Sequence, residues 1–133
     1  MFVDPASFND ITRQIIGAAI DVHRALGPGL LESIYSECLQ SELSARKMRF
    51  LVQRPIPVTY KNRVLRAVYR IDLIVEDVVV VEVKAVQALA KVHEAQVLTY
   101  MRLARCPAGL LINFNVPRLM EGVRRLINPA ADR

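Results

Sequence analysis

Val68-Tyr69-Arg70-Ile71-Asp72-Leu73-Ile74-Val75, a break at Glu76-Asp77, then Val78-Val79-Val80-Val81-Glu82-Val83-Lys84-Ala85: two β-branched, apolar segments around a short acidic break read as a hairpin. Unbroken rather than alternating hydrophobicity points to strands covered on both faces. A carboxylate or an ammonium in such a strand is costly unless it is paired, binds a metal or opens onto a cleft. Side chains alternate faces along a strand, so Glu82 and Lys84 project from one side, roughly 6.6–7 Å apart along the backbone. With Asp72 opposite them, two carboxylates and one lysine converge. Two hard oxygen ligands and a lysine suit Mg²⁺ acting on a phosphate ester.

That convergence has a geometric condition. A two-residue loop at Glu76-Asp77 pairs Val75 with Val78 and sets Asp72 opposite Val81, which turns Glu82 to the other face. The site therefore requires a three-residue or other odd-length loop, or a bulge in one strand. Such a loop or bulge is expected.

The remaining composition sets bounds. A chain of 133 residues is expected to form a single domain over residues 1–133, long enough for one real core. Its 53% hydrophobic content and mean hydropathy of +0.24 are high for a monomer and point to an extra buried surface, so a homodimer is expected. No apolar run approaches the roughly 20 residues of a membrane helix, and no membrane partner is expected. Met1-Phe2-Val3-Asp4-Pro5 lacks the basic start and apolar stretch of a signal peptide. Cys38 and Cys106, the two cysteines, fit a reducing compartment; a cytoplasmic location is expected. The net charge of +5 favours polyanionic partners. The local groupings Arg46-Lys47 with Arg49, Lys61 with Arg63 and Arg66, and Arg124-Arg125 each read more readily as solvated surface than as a binding patch.

Around the hairpin, Phe8, Ile11, Ile15, Ala18, Val22 and Leu26 recur at helical spacing, with Ser7 or Asn9 as cap. Gly27-Pro28-Gly29 ends that helix. A second helix is expected from about Leu30 to Lys47, with an apolar stripe of Leu31, Ile34, Tyr35, Cys38, Leu39 and Leu43. From Phe50 the period becomes two, and Pro55 and Pro57 demote that segment to an edge strand or strand entrance. Lys61-Asn62-Arg63 is a turn. A third helix spans roughly Leu89 to Ala104, closed by Cys106-Pro107, and Gly109 to Phe114 is a short buried strand. Leu119, Val123, Leu126 and Ile127 have helical spacing in a segment short enough for a terminal strand. The order is ααβββαβ, and a strand–helix–strand passage near the end favours a mixed β-sheet flanked by helices.

Several motifs then fall in register with a known family. Gly29-Leu30-Leu31-Glu32-Ser33-Ile34-Tyr35 fits G-x-x-E-x-x-Y; Asp72 followed by Glu82-Val83-Lys84 fits D…E-x-K; His93, Gln96 and Tyr100 fit H-x-x-Q-x-x-x-Y. The chain resembles the GxxExxY family of the PD-(D/E)XK nuclease superfamily, over Ile16 to Ile127. The resemblance implies an α/β fold with a restriction-endonuclease-like core and Mg²⁺- or Mn²⁺-dependent phosphodiester hydrolysis. It implies metal ligands at Asp72, Glu82 and the backbone carbonyl of Val83, with Glu32 reaching the metal directly or through water and Gln96 as the motif glutamine. It also favours a strand for the tail. One departure is Ile71, where the superfamily's name has proline.

In that frame Asp72 and Glu82 hold the metal, while Lys84 orients or deprotonates a water and offsets charge on the phosphate. The competing reading is a cross-strand ion pair of Lys84 with Asp72 or Glu82, of little energetic weight. For Glu32 the competing reading is a first-turn glutamate favoured by the helix dipole. His93, Gln96 and Tyr100 share one helical face, from which an amide and a phenol can hydrogen-bond a phosphate or a metal-bound water. His93 and Tyr100 are expected to contact substrate, against the competing reading of a half-buried polar edge, and Val92, Ala95 and Thr99 are expected to pack on the sheet. Arg70 is expected to contact substrate or to pair with Glu82 or Glu94. His23, His93, Cys38 and Cys106 have no zinc spacing. The expected function is a metal-dependent nuclease acting on DNA. Its rivals are a non-catalytic nucleic-acid-binding or assembly protein on the same fold, and a structural dimer whose charged triplet is an ion-pair network.

Overall fold

A computed structural model describes residues 6–127 as α1 (Ala6–Leu26), α2 (Glu32–Ala45), β1 (Phe50–Tyr60), β2 (Arg63–Val75), β3 (Val79–Lys84), α3 (Lys91–Ala104), β4 (Ala108–Asn113), a 3₁₀ turn (Leu119–Gly122) and β5 (Val123–Ile127). The strands form one sheet in the order β1-β2-β3-β4-β5. Pairing is antiparallel except between β3 and β4, which run parallel and are joined through α3. This is the mixed, helix-flanked sheet expected from the order of elements. The tail resolves as a strand, its helical spacing divided between the 3₁₀ turn and β5.

Alternation along β3 and β4 fills two cores. Val79, Val81 and Val83, with Leu110 and Ile112, pack against Phe8, Ile15, Val22, Tyr35, Leu39 and Leu43 of α1 and α2. Val80 and Leu111 face the other way and meet Val97, Tyr100 and Met101 of α3. Every residue of β4 is buried, as are the first five of β3, which accounts for their unbroken apolar sequence. The first half of β2 departs from that expectation. Val68, Tyr69 and Arg70 are exposed, because β3 pairs with β2 only from Leu73 onward.

The hairpin loop decides where the charges fall. Val75 pairs with Val79, leaving Glu76-Asp77-Val78 as a three-residue loop. Glu76 and Asp77 take positive φ, 53° and 60°, and the Glu76 carboxylate accepts the Arg49 N–H at 2.5 Å. Extended one step past the Leu73–Val81 pair, that register would set Asp72 opposite Glu82, so the odd-length condition is met. At the far end Tyr60 pairs with Arg63, and Lys61 and Asn62 turn at φ 48° and 64°, the geometry of a two-residue hairpin. β1, with its two prolines, is an edge strand as expected.

The helices need three corrections. Ser7 and Asn9 lie inside α1 rather than at its cap. α2 is shorter than expected, and of its stripe only Tyr35, Leu39 and Leu43 are buried. Leu31 is 69% exposed, and Ile34 is exposed too, because the first turn of α2 borders an open cleft. On α3, Val92 and Ala95 face outward and Thr99 is half-buried; the sheet-facing stripe is Val97, Tyr100 and Met101. Gly109 permits that contact, since a Cβ there would lie 2.7 Å from Met101 Sδ and Val97 Cγ1.

Candidate functional site

Beyond the Leu73–Val81 pair, β2 leaves β3 and side chains take over the hydrogen bonds of the ladder. The Asp72 N–H donates to Glu82 Oε1 at 3.0 Å, and the Val83 N–H donates to Asp72 Oδ2 at 2.9 Å. Gln53 Nε2 donates to Asp72 Oδ1 at 3.3 Å from the neighbouring strand. Gln53 itself sits at φ 52° within β1, a left-handed conformation that disturbs the pleat. Its effect is visible in the side chains: Leu73 packs toward α1 and α2, while Ile71, two residues earlier, packs toward α3. Parity breaks at Asp72. Its carboxylate opens on a cleft of about 660 Å³ that Glu32, Ser33, Ser36, Gln53 and Val83 help to line.

Glu82 lies on the α3 side, 3% exposed. Lys84, on the same face, donates from Nζ to Gln96 Oε1 at 3.3 Å, and Gln96 Nε2 donates to Tyr100 Oη at 2.8 Å. The Tyr100 ring is met edge-on by Tyr69, centroids 5.4 Å apart. Lys84, Gln96 and Tyr100 thus form a chain beside the acids. His93 does not join it, because its Nδ1 accepts the Ala90 N–H at 2.9 Å and closes the start of α3. Arg70 is exposed and forms no described ion pair; Glu94 is taken by Arg124 at 3.3 Å.

Glu32 begins α2, and its position follows from the turn before it. Gly27 and Gly29 adopt φ 69° and 99°. Tyr35 Oη donates to the Gly27 carbonyl at 2.6 Å and accepts the Leu30 N–H at 3.1 Å, while its buried ring stacks on Phe114 at 4.6 Å. The glycine makes the bend, the tyrosine bolts it to the core, and Glu32 is left facing the cleft. Its Oε2 accepts the Ala85 N–H at 3.3 Å.

The electrostatics are those of an under-compensated acid pair. Burial, and then the charge of Asp72, push the Glu82 carboxyl up to about 8. Burial also raises Asp72, against the opposing pull of the Val83 N–H, Gln53 and Lys84. Burial and the Glu82 charge raise the Tyr100 phenol. The described ion pairs are Arg13–Asp10, Arg46–Asp21, Arg49–Glu76 and Arg124–Glu94. None involves Asp72, Glu82 or Lys84, so the cross-strand ion pair is not formed among the described residues.

A family model of the PD-(D/E)XK nuclease superfamily matches residues 9–126. The chain belongs to the PD-(D/E)XK nuclease superfamily. No curated protein and no solved structure gives a significant match. The D…E-x-K order of the superfamily falls here on the diverging strand pair, and its nucleases generally work with divalent metals.

The donor set fits such an ion. Asp72 and Glu82 are hard oxygen donors that enter none of the described ion pairs, and a divalent ion held by them would supply the missing charge. Among the described residues no group of three or more His, Cys, Asp or Glu side chains is arranged to hold a metal. Glu32 thus shares the cleft without completing a ligand cluster. Two site residues escaped the sequence reading. Gln53 has no sequence signal, since nothing in Val52-Gln53-Arg54 announces a positive φ. Asn113, buried at the end of β4, accepts the Val86 N–H at 3.0 Å and donates to the Val86 carbonyl at 3.0 Å, fixing the chain just after Lys84. A polar residue closing the apolar run Leu110-Leu111-Ile112 was the available signal.

Proposed function

We propose that the protein is a divalent-metal-dependent nuclease that hydrolyses phosphodiester bonds of DNA, and that within its superfamily it is a GxxExxY protein. The observation that carries this reading is the Asp72–Glu82 pair, Glu82 buried and Asp72 half-buried, joined through backbone N–H groups and in none of the described ion pairs. Asp72, Glu82 and the Val83 carbonyl would hold Mg²⁺, or Mn²⁺ in its place, with Glu32 acting through water. When bound, the ion supplies positive charge to the scissile phosphate and lowers the pKa of a water. The chain's own residues do the rest. Lys84, tethered to Gln96, directs its ammonium toward charge developing on the phosphate. Gln96 keeps Lys84 from collapsing onto the acids, and Tyr100 fixes Gln96 in turn. The Val83 and Asp72 N–H groups hold the carboxylates in place before substrate arrives. The Gly29-x-x-Glu32-x-x-Tyr35 geometry supports the narrower family assignment, because each motif residue has a distinct mechanical part in presenting Glu32. Arg70 and His93 carry no role in this reading.

The test is cleavage of single-stranded, duplex and branched DNA and RNA with Mg²⁺ or Mn²⁺, beside Asp72→Asn and Lys84→Ala proteins. Cleavage by the wild type that both substitutions abolish is expected. Undiminished cleavage by Asp72→Asn would sink the assignment.

A further inference from the structure

Between Glu42 and Asp72 the chain has no acidic residue, yet Arg49, Arg54, Lys61, Arg63, Arg66 and Arg70 all fall there. Along the sequence these cations are scattered, which favours reading them as solvated surface. The fold gathers the last five on one arm, while Arg49 stays at its base, paired with Glu76. β1 and β2 pair with each other along their whole length, with Arg54 opposite Ile71, Pro55 opposite Arg70, and Tyr60 opposite Arg63 at the tip. β3 contributes no partner beyond Leu73. The two-stranded ribbon runs outward from Asp72 for about 30 Å at roughly 3.3 Å per residue; its inner half packs on α3 through Ile71, Ile56 and Tyr69, and its outer half, toward Lys61, extends past the helix.

Arg54, Lys61, Arg63, Arg66 and Arg70 form none of the described ion pairs. They also do not lie on one side. Arg54 lines the α3 face with Ile56 and Leu103, Arg70 alternates to the opposite face from Ile71, and Lys61 and Arg63 occupy the tip. Among them Tyr60 is 61% and Val64 67% exposed. A bare two-stranded ribbon is marginally stable in water, so the exposed outer half around Tyr60 and Val64 fits a surface completed by a partner.

We propose that the β1–β2 ribbon is the arm that grips duplex DNA, lying in the major groove with the diverging strands at Asp72 brought to the backbone. The inference rests on the nuclease reading for its substrate, and it names the form of that substrate. A B-form major groove about 12 Å wide admits a two-stranded ribbon, and phosphates then flank it on more than one side, as the cations require. The pairing shifts register between Pro57 and Thr59, and such a bulge strengthens the right-handed twist with which a ribbon follows a right-handed groove. Duplex RNA is a poor fit, because its deep, narrow major groove cannot be read by side chains. A second copy of this chain is a poorer occupant still, since it would set one unpaired basic ribbon against another.

The test is anisotropy binding of the full chain to a fluorescein-labelled 30-bp mixed-sequence DNA, in EDTA so that no cleavage occurs. Its comparison is a Lys61→Ala/Arg63→Ala/Arg66→Ala variant, all three positions being exposed and outside the core. Each lost phosphate contact removes about 0.9 from the slope of log affinity against log salt. The variant is thus expected to lose about 2.7 from that slope and to bind on the order of a hundredfold more weakly near 0.15 M salt, with its melting temperature unchanged. Equal affinity of variant and wild type would overturn the proposal, as would tighter wild-type binding to single-stranded DNA or duplex RNA of equal length. A dimer in light scattering that Tyr60→Ser/Val64→Ser dissociates, with DNA affinity intact, would assign the ribbon to a second copy and overturn it too. Wild-type cleavage of a trinucleotide, a strand too short to reach the tip, tests the nuclease reading apart from the ribbon. Ribbon-dependent duplex binding by a wild type that cleaves nothing would uphold the arm while removing the nuclease assignment.

Discussion

Replacing Glu82 with glutamine is expected to stabilise the metal-free protein at alkaline pH while removing its response to metal. Glu82 is pushed from an ordinary 4.5 to about 8, first by burial and then by Asp72. The folded state therefore keeps a proton that the unfolded chain has released between those values. Where the folded state binds more protons, stability falls as pH rises, so the full contribution is present below about pH 4.5 and is lost as pH climbs through 8. At about 1.4 kcal/mol per pH unit the gap bounds the effect near 5 kcal/mol. Half-titration at pH 8 and water entry around a buried charge reduce this to about 2–4 kcal/mol. For a chain of this length that is roughly 10 °C in melting temperature. Glutamine keeps an oxygen to accept the Asp72 N–H and carries no charge.

The assay is thermal unfolding of both proteins in EDTA at pH 5, 6.5 and 8, repeated with 5 mM Mg²⁺ or Mn²⁺. At pH 5 the two should melt within a few degrees of each other. By pH 8 Glu82→Gln should lead by roughly 10 °C, and metal should restore the wild type alone. A wild type that melts no lower relative to Glu82→Gln at pH 8 than at pH 5 would refute the reasoning, because the buried acid would then carry no ionisation penalty.

Other perturbations follow from single contacts. Tyr35→Phe removes the hydroxyl that ties Gly27 to Leu30 and should cost about 1–3 kcal/mol by urea denaturation; a midpoint equal to the wild type's would contradict the bolted turn. Gly109→Ala drives a methyl group into Val97 and Met101 and should cost about 1–3 kcal/mol in the same assay, an effect absent if α3 can simply lift. Gln53→Gly relieves a positive φ and should leave the melting temperature equal or higher while slowing cleavage, since Asp72 loses a tether; a large fall in melting temperature would mean the glutamine side chain holds the strand rather than the acid. The Cys106 thiol, buried and pushed up to about 11, should react with an aromatic disulfide only on unfolding, whereas half-buried Cys38 reacts in the native protein; fast modification of Cys106 in the native state would show that its pocket opens.

Most of the fold was legible because its central strands are uniform. Val78 to Val83 has one polar residue, Glu82, in an apolar run, and only a strand with both faces covered rewards such a sequence. The loop parity was legible for a similar reason: two acids on paired strands share a face only when the loop is odd or a strand carries a bulge. Helix phase was less so. Val92, Ala95 and Thr99 lie next to the true stripe of Val97, Tyr100 and Met101, and a helix apolar over more than one face leaves its rotation to the close approach at Gly109. Leu31 and Ile34 read as core and lie open, because hydrophobicity does not say that a cleft interrupts the packing. His93 shares a helical face with Gln96 and Tyr100, but as the third residue of α3 its ring is better placed to accept the free N–H of Ala90.

The basic ribbon and the acid pair meet at one residue pair, Gln53 and Asp72. Had β1 and β2 continued as regular strands, Asp72 would share the face of Glu82 and lie sealed beneath α3. The left-handed turn at Gln53 reverses the pleat there, so Asp72 remains bonded to β3 through the Val83 N–H yet opens to the cleft of Glu32. Past the reversal Ile71, Ile56 and Tyr69 still pack on α3, and the ribbon leaves the covered faces only beyond the Ile56–Tyr69 pair. A backbone strained by about 1 kcal/mol or more at a non-glycine residue thus separates two regions of opposite character. The inner part is acidic, with Glu82 buried, and suits a cation; the outer part is exposed and basic and suits the phosphates of the proposed substrate.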